Sequence, residues 1–195
     1  MLYFDDNLTE KEREVRDEMI YLFNPVLKFI LSSAQPEEFK RYGYNSCRQT
    51  AIFGTAIMKE LLPEYNFRLY EGQFLELVDG VPTPYIHAFT VATHQDRTLL
   101  IDISRVSKRL LFTSVTSPSL YPQTEDWKNV ALIAKKELNL RELLMDAGAE
   151  YFTRMPHMAV LFSIKGLMKD LKTRPEFERM KFCDKMYNQY TELRR

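Results

Sequence analysis

The spacing of apolar residues changes twice along the chain, from helical to alternating and back. In LTEKEREVRDEMIYLFNPVLKFILSS, apolar Val15, Met19, Leu22 and Phe23 recur at helical intervals, and Thr9 with Glu12 three residues on makes a capping box. A long helix is predicted there, kinked or broken near Pro25, whose ring and missing N–H oppose an uninterrupted ladder. PEEFKRY, opened by Pro36 and ended by Gly43, reads as a short helix. The next helix begins near Ser46 and runs to Leu62, where Pro63 stops it.

From Tyr65 the pattern alternates. YNFRLYEGQFLELVDG and TPYIHAFTVATHQDRTLLIDIS are rich in aromatic and β-branched residues and are divided by Asp79-Gly80 and by THQDR, which predicts three or more antiparallel strands. After about residue 120 the helical signal returns, in TEDWKNVALIAKKELNLRELLMDAGAEYF, MPHMAVLFSIKGLMKDL and RPEFERMKFCDKMYNQYTELRR. The expected class is therefore α+β: a small antiparallel sheet with a helix-borne cysteine against it, plus additional N- and C-terminal helices. The chain is read as one domain over 1–195, with its core at 40–105 and a helical extension over 120–195.

Composition narrows the partners. A chain of 195 residues is long enough to bury a substantial core, and Lys plus Arg equals Asp plus Glu at 27 each. No net field favours nucleic acid or an anionic membrane, so neither is expected as a partner. The N-terminus is acidic where a secretory segment would be basic, and no apolar run approaches the ~20 residues of a bilayer span. Two distant cysteines then read as reduced thiols in a soluble, cytoplasmic protein, with export by a route lacking a cleaved signal left open. The three histidines and two cysteines are scattered without ligand spacing, so no metal and no cofactor is expected.

The candidate chemistry comes from parity. If the strands around His87 and Asp102 are joined by a loop of two residues (His94-Gln95) or four (Thr93 to Asp96), residues whose numbers sum to 189 lie opposite each other, and His87 and Asp102 do so. Opposed residues share a face with Cβ atoms ~4.5–5.5 Å apart, close enough for the carboxylate to accept an imidazole N–H. A histidine held in that way keeps one tautomer and leaves its other nitrogen to exchange a proton with a nucleophile. Cys47, in NSCRQTAIF, is the candidate, because the unmatched N–H groups and dipole of a helix N-terminus favour thiolate. Its own backbone N–H can donate to an oxyanion; Asn45, Tyr44 and Gln35 are alternatives for a second donor, and the sequence does not choose among them.

Cysteine at a helix start in NSCRQTAIF, histidine 40 residues on in YIHAFTVAT and aspartate 15 later in LLIDISR resemble the core of the transglutaminase-like branch of papain-fold cysteine enzymes. The resemblance spans roughly residues 40 to 105. It implies a papain-like, transglutaminase-like core and acyl transfer through a thioester, with Cys47 as nucleophile, His87 as general base and acid, and Asp102 as the orienting group. The implied function is a thiol-dependent amide-bond enzyme, a cysteine peptidase (thiol protease, hydrolase) or a transglutaminase-like acyltransferase, acting on a peptide or protein substrate.

Plainer readings stand beside these. By itself Cys47 reads first as a small buried residue, and the His87/Asp102 coincidence is what shifts that balance. Arg48, Arg105 and Lys108 are either a cationic rim or solvated surface charge. Tyr42, Tyr44 and Tyr85 either wall a substrate groove or pack in the core. His94 and His157 read as solvent or capping residues, Cys183 as core or surface, and RMPHMAVLFSIKGLM as core. The alternative of another class is a non-catalytic interaction protein that keeps the core as a scaffold and binds a partner through the helices after residue 120.

Overall fold

A computed structural model describes residues 7–34, 46–104, 111–115, 130–145 and 156–192. The first helix, α1 (Glu10–Glu18), starts with the capping box: the Thr9 N–H donates to Glu12 Oε2 at 2.6 Å, and the Glu12 N–H to Thr9 Oγ1 at 3.2 Å. Pro25 does not break the chain's helical path. A π-helical turn, Met19–Phe23, precedes α2 (Asn24–Ala34), and the Asn24 N–H reaches back five residues to the Met19 carbonyl. A proline ring crowds the carbonyl four residues before it, here that of Tyr21, and the widened turn makes room without leaving helical dihedrals at Glu18 or Asn24. The short helix expected over PEEFKRY lies outside the described residues.

The chain divides into two units, Met1–Val15 with Cys47–Leu140, and Arg16–Ser46 with Arg141–Arg195. The first holds α3 (Cys47–Leu61) and the strands β1 (Asn66–Val78), β2 (Val81–His94), β3 (Arg97–Asp102), β4 (Leu111–Ser114) and β5 (Val130–Leu138). All pairings are antiparallel, in the order β4-β3-β2-β1-β5. Asp79 and Gly80, with φ of 52° and 78°, make the two-residue turn between β1 and β2, and Val78 and Val81 close it. With that closing pair, odd-numbered residues of β2 exchange ladder bonds with β1 and even-numbered ones turn their amides outward. Pro82 and Pro84 both fall on the outward side, where a missing N–H removes no bond to β1.

The two faces of the sheet carry different layers. Ala88 and Thr90 of β2 and Ile101 of β3 lie under α3, where Thr55 Oγ1 and Thr90 Oγ1 are hydrogen-bonded at 2.7 Å, both buried. The opposite face holds a cluster of Phe74, Phe89, Val91, Leu100, Leu111 and Val130. Each such side chain contributes about 1.5–3 kcal/mol by leaving water, so this cluster helps hold the strands together on that face. A polar tie joins distant parts of the unit: Glu12 accepts from Arg97 Nη2 at 2.7 Å, from Arg97 Nε at 3.0 Å and from the Tyr65 hydroxyl.

The expected helix over the VALIAKKEL stretch is instead the edge strand β5, so the region from 120 onward is not purely helical. Its Ala, Lys, Glu and Leu content favours helix locally, but Val130 buries against the sheet and Leu132 half-buries opposite Phe74, a two-residue period that pairing with β1 selects. Helix resumes with α4 (Leu140–Met145), α5 (His157–Thr173) and α6 (Glu176–Glu192). In the second unit Val160, Leu161, Ile164, Met168 and Leu171 of α5 are buried, as expected for the Met-rich stretch, and Phe29 of α2 meets Phe182 of α6 edge-on at 5.4 Å. His157 is fully buried and its Nδ1 lies 2.5 Å from the Leu143 carbonyl, contrary to the expected solvent or capping role. Among the described residues, no helix is long and apolar enough to cross a membrane.

Candidate active site

Cys47 is the first residue of α3 and is half-buried. Gln49 through Met58 are buried along this helix, which fixes its seat and therefore where its N-terminus points. Ala88, on β2, turns its N–H outward by the parity of the hairpin, beyond the last rung of the β2–β3 ladder at Thr90 and Ile101. There the Cys47 sulfur meets the Ala88 N–H, and it also hydrogen-bonds with the His87 ring.

His87 and Asp102 meet, but not in the expected register. The β2–β3 turn is Gln95-Asp96, with Gln95 at a φ of 51° and His94 paired with Arg97, so opposed residues sum to 191 rather than 189. The two residues are thus diagonal neighbours, and because the slip is by two, both stay on one face. His87 Nε2 donates to Asp102 Oδ2 at 2.6 Å, with side-chain exposures of 6% and 0%. The ring is boxed in by Phe74 and Tyr85, edge-on at 6.0 and 6.3 Å. With Nε2 committed to Asp102, Nδ1 is the nitrogen left for Cys47.

The electrostatics follow from these contacts. Burial alone would push the His87 imidazolium down, but the charge and hydrogen bond of Asp102, with Cys47 adding to them, leave its pKa pushed up to about 10. Burial alone would likewise raise the Cys47 thiol. The hydrogen bond and charge of His87, then the Ala88 N–H, outweigh it and hold the thiol below its ordinary range. Cys183 on α6 shows the contrast: burial and the neighbouring Asp184 charge raise it.

No family model, curated protein or solved structure matches this chain.

Of the candidate binding residues, Arg48 points Nη1 at Glu71 Oε2, 3.4 Å away, both side chains about a third exposed at 34% and 30%. Tyr85 is half-buried and stacks on Phe74 at 5.4 Å, so it belongs to the margin of the apolar cluster while also touching His87. Gln35, Tyr44 and Asn45, the alternatives for an oxyanion donor, and Arg105, with Tyr42 and Lys108, lie outside the described residues. His94 Nδ1 lies 3.0 Å from the Glu64 carbonyl at an exposed position. A cavity between α3 and the sheet, lined in part by Thr50, Ala88, Thr90, Asp102 and Ser104, has a volume of about 10 Å³. That is room for one water and not for a substrate.

One residue escaped the sequence reading. Ser104, buried just past the end of β3, donates its hydroxyl to Asp102 Oδ1 at 2.7 Å and its backbone N–H to the same oxygen at 3.4 Å. Its Oγ is also 3.4 Å from His87 Nε2. The available signal was the Asp-Ile-Ser triplet at a strand end, where an aspartate commonly bonds the backbone two residues on.

Proposed function

We propose that the protein is a thiol-dependent amide-bond enzyme of the papain-like, transglutaminase-like kind, acting through Cys47, His87 and Asp102. The observation that carries the reading is the hydrogen-bonded relay from the half-buried Cys47 through the buried His87 ring to the buried Asp102 carboxylate. The thiolate, with His87 as imidazolium, attacks the carbonyl carbon of a peptide or glutamine-type amide, and the carbonyl electrons move onto oxygen. Collapse of that intermediate breaks the C–N bond as His87 delivers its proton to the leaving nitrogen, giving an amine and a Cys47 thioester. His87, now neutral, takes a proton from water or an incoming amine, which attacks the thioester and releases an acid or a new amide with the thiolate restored. Hydrolysis and transfer differ only in that acceptor, and peptidase is favoured because water needs no dedicated second site.

The test is competitive labelling with iodoacetamide at pH 6 to 7, read by peptide mass spectrometry. Cys47 should be alkylated far faster than Cys183, and His87→Ala should remove the preference. Equal, slow labelling of both cysteines would refute the enzyme reading and favour a scaffold that binds without chemistry.

A further inference from the structure

We propose that Ser104 is a positioning residue of this relay: by donating to Asp102 Oδ1 it fixes the carboxylate so that Oδ2 faces the His87 ring. The functional meaning of this inference rests on the reading of Cys47 and His87 given above. A carboxylate has two equivalent oxygens and turns readily about its Cβ–Cγ bond, so an aspartate at the end of a strand does not by itself hold one oxygen on a partner. Here Oδ1 takes two donors from a single residue, the Ser104 hydroxyl at 2.7 Å and its N–H at 3.4 Å. Oδ2 is left for Nε2 at 2.6 Å.

The hydroxyl has one proton and two lone pairs, which sets its role. Its proton goes to Oδ1, so its oxygen faces Nε2 at 3.4 Å only as an acceptor. That arrangement suits a ring with its proton on Nε2, and so both contacts favour the tautomer that presents Nδ1 to Cys47. Ser104 is buried and sits beside the small cavity under α3, so a truncated side chain admits a water where the hydroxyl was. Valine and threonine at this position have nearly the same shape and differ in the hydroxyl alone, which makes them the decisive pair.

The experiment is an NMR titration of the His87 ring together with the Cys47 alkylation rate at pH 7 in the full chain, comparing wild type with Ser104→Ala, Ser104→Val and Ser104→Thr. In the alanine and valine variants the His87 pKa should fall by about one unit and Cys47 labelling by about tenfold, because the carboxylate no longer holds its alignment. Threonine should keep the titration and stay within about threefold of the wild-type rate, with Cys183 labelling unchanged throughout. A merely structural hydroxyl leaves the titration where it was, and a carboxylate made more basic by losing a donor raises it. Either result in the valine variant, or threonine failing alongside valine, overturns the inference. Lack of any preference for Cys47 over Cys183 in wild type overturns the nucleophile reading instead, and the His87 titration still decides the role of Ser104.

Discussion

Asp102→Asn isolates the charge of the relay from its shape. The amide oxygen of asparagine can still accept from Nε2, and its nitrogen occupies the place of the second carboxylate oxygen, so packing is preserved while one negative charge is lost. The nearest atoms of the pair are 2.6 Å apart and both side chains are almost fully buried, which puts the charge centres about 4 Å apart with little solvent screening. At an effective dielectric constant of about 20, the attraction is about 4 kcal/mol, or about three pKa units. That attraction is the largest of the influences that, together with the hydrogen bonds of Asp102 and Cys47, overcome burial and push the ring up to about 10 from its ordinary 6.5. Without that charge, burial is opposed only by the hydrogen bond to the amide oxygen and by Cys47, and His87 should titrate well below its wild-type value. Cys47 then loses its cationic neighbour, and at pH 7 its alkylation by iodoacetamide should slow on the order of ten- to a hundredfold as the thiolate fraction collapses. Stability gives an independent reading. A folded pKa above the unfolded one contributes stability that is fully present below about pH 6.5 and is lost as pH rises through about 10. The gap between wild type and Asp102→Asn in urea unfolding should therefore narrow across that window. The assays are the pH–rate profile of Cys47 alkylation and the His87 ring titration; identical midpoints in wild type and variant would refute the electrostatic argument.

Three further outcomes follow from the packing. Glu12→Gln should cost about 2–3 kcal/mol in urea unfolding, less than the 3–5 of a fully buried pair because Arg97 is about a third exposed (32%). Burial would raise the Glu12 pKa, but the bonds from Arg97, Tyr65 and Thr9 hold it low, so this contribution is present above about pH 4.5 and is lost as pH falls through the lowered value. Gly72→Ala, at the position paired with His87, would bring a Cβ to 2.6 Å from the Phe74 ring and 2.8 Å from a Leu132 methyl, and should destabilise by about 1–3 kcal/mol in thermal or urea melts. Thr55 Oγ1 donates to the Ala51 carbonyl at 2.6 Å and accepts from Thr90, so Thr55→Val should cost about 1–3 kcal/mol by orphaning the buried Thr90 hydroxyl, Thr90→Val should cost less because Thr55 keeps Ala51, and the double variant should cost less than the two added together, as a double-mutant cycle will show.

Features set by near neighbours in the chain were legible. The Thr9/Glu12 box, the start of α3 at Cys47 and the Asp79-Gly80 turn all depend on residues within a few positions of each other, and all appear as expected. The His87/Asp102 contact was legible because strand parity survives a register error of two, even though the turn sits one residue later than assumed. What depends on distant partners was not. The strand at Val130–Leu138 owes its conformation to pairing with β1, and the Glu12–Arg97 tie spans 85 residues that share no local pattern. His157 looked like a cap because its sequence position is a helix start, whereas its burial and its bond to Leu143 come from tertiary packing. Pro25 looked like a break because a proline interior to a helix loses a bond, and the π turn that absorbs it leaves no obvious mark in the sequence.

The proposed role of Cys47 is that of an activated acyl acceptor. It is tested most directly with p-nitrophenyl acetate, whose ester carbonyl the thiolate can attack with release of nitrophenolate. The expected result is a rapid burst approaching one nitrophenolate per protein chain, an acetyl group on the peptide containing Cys47, and loss of both in Cys47→Ala and His87→Ala. A wild-type protein that shows no burst, or that carries its acetyl group on Cys183 or on lysines while Cys47 stays free, would contradict it.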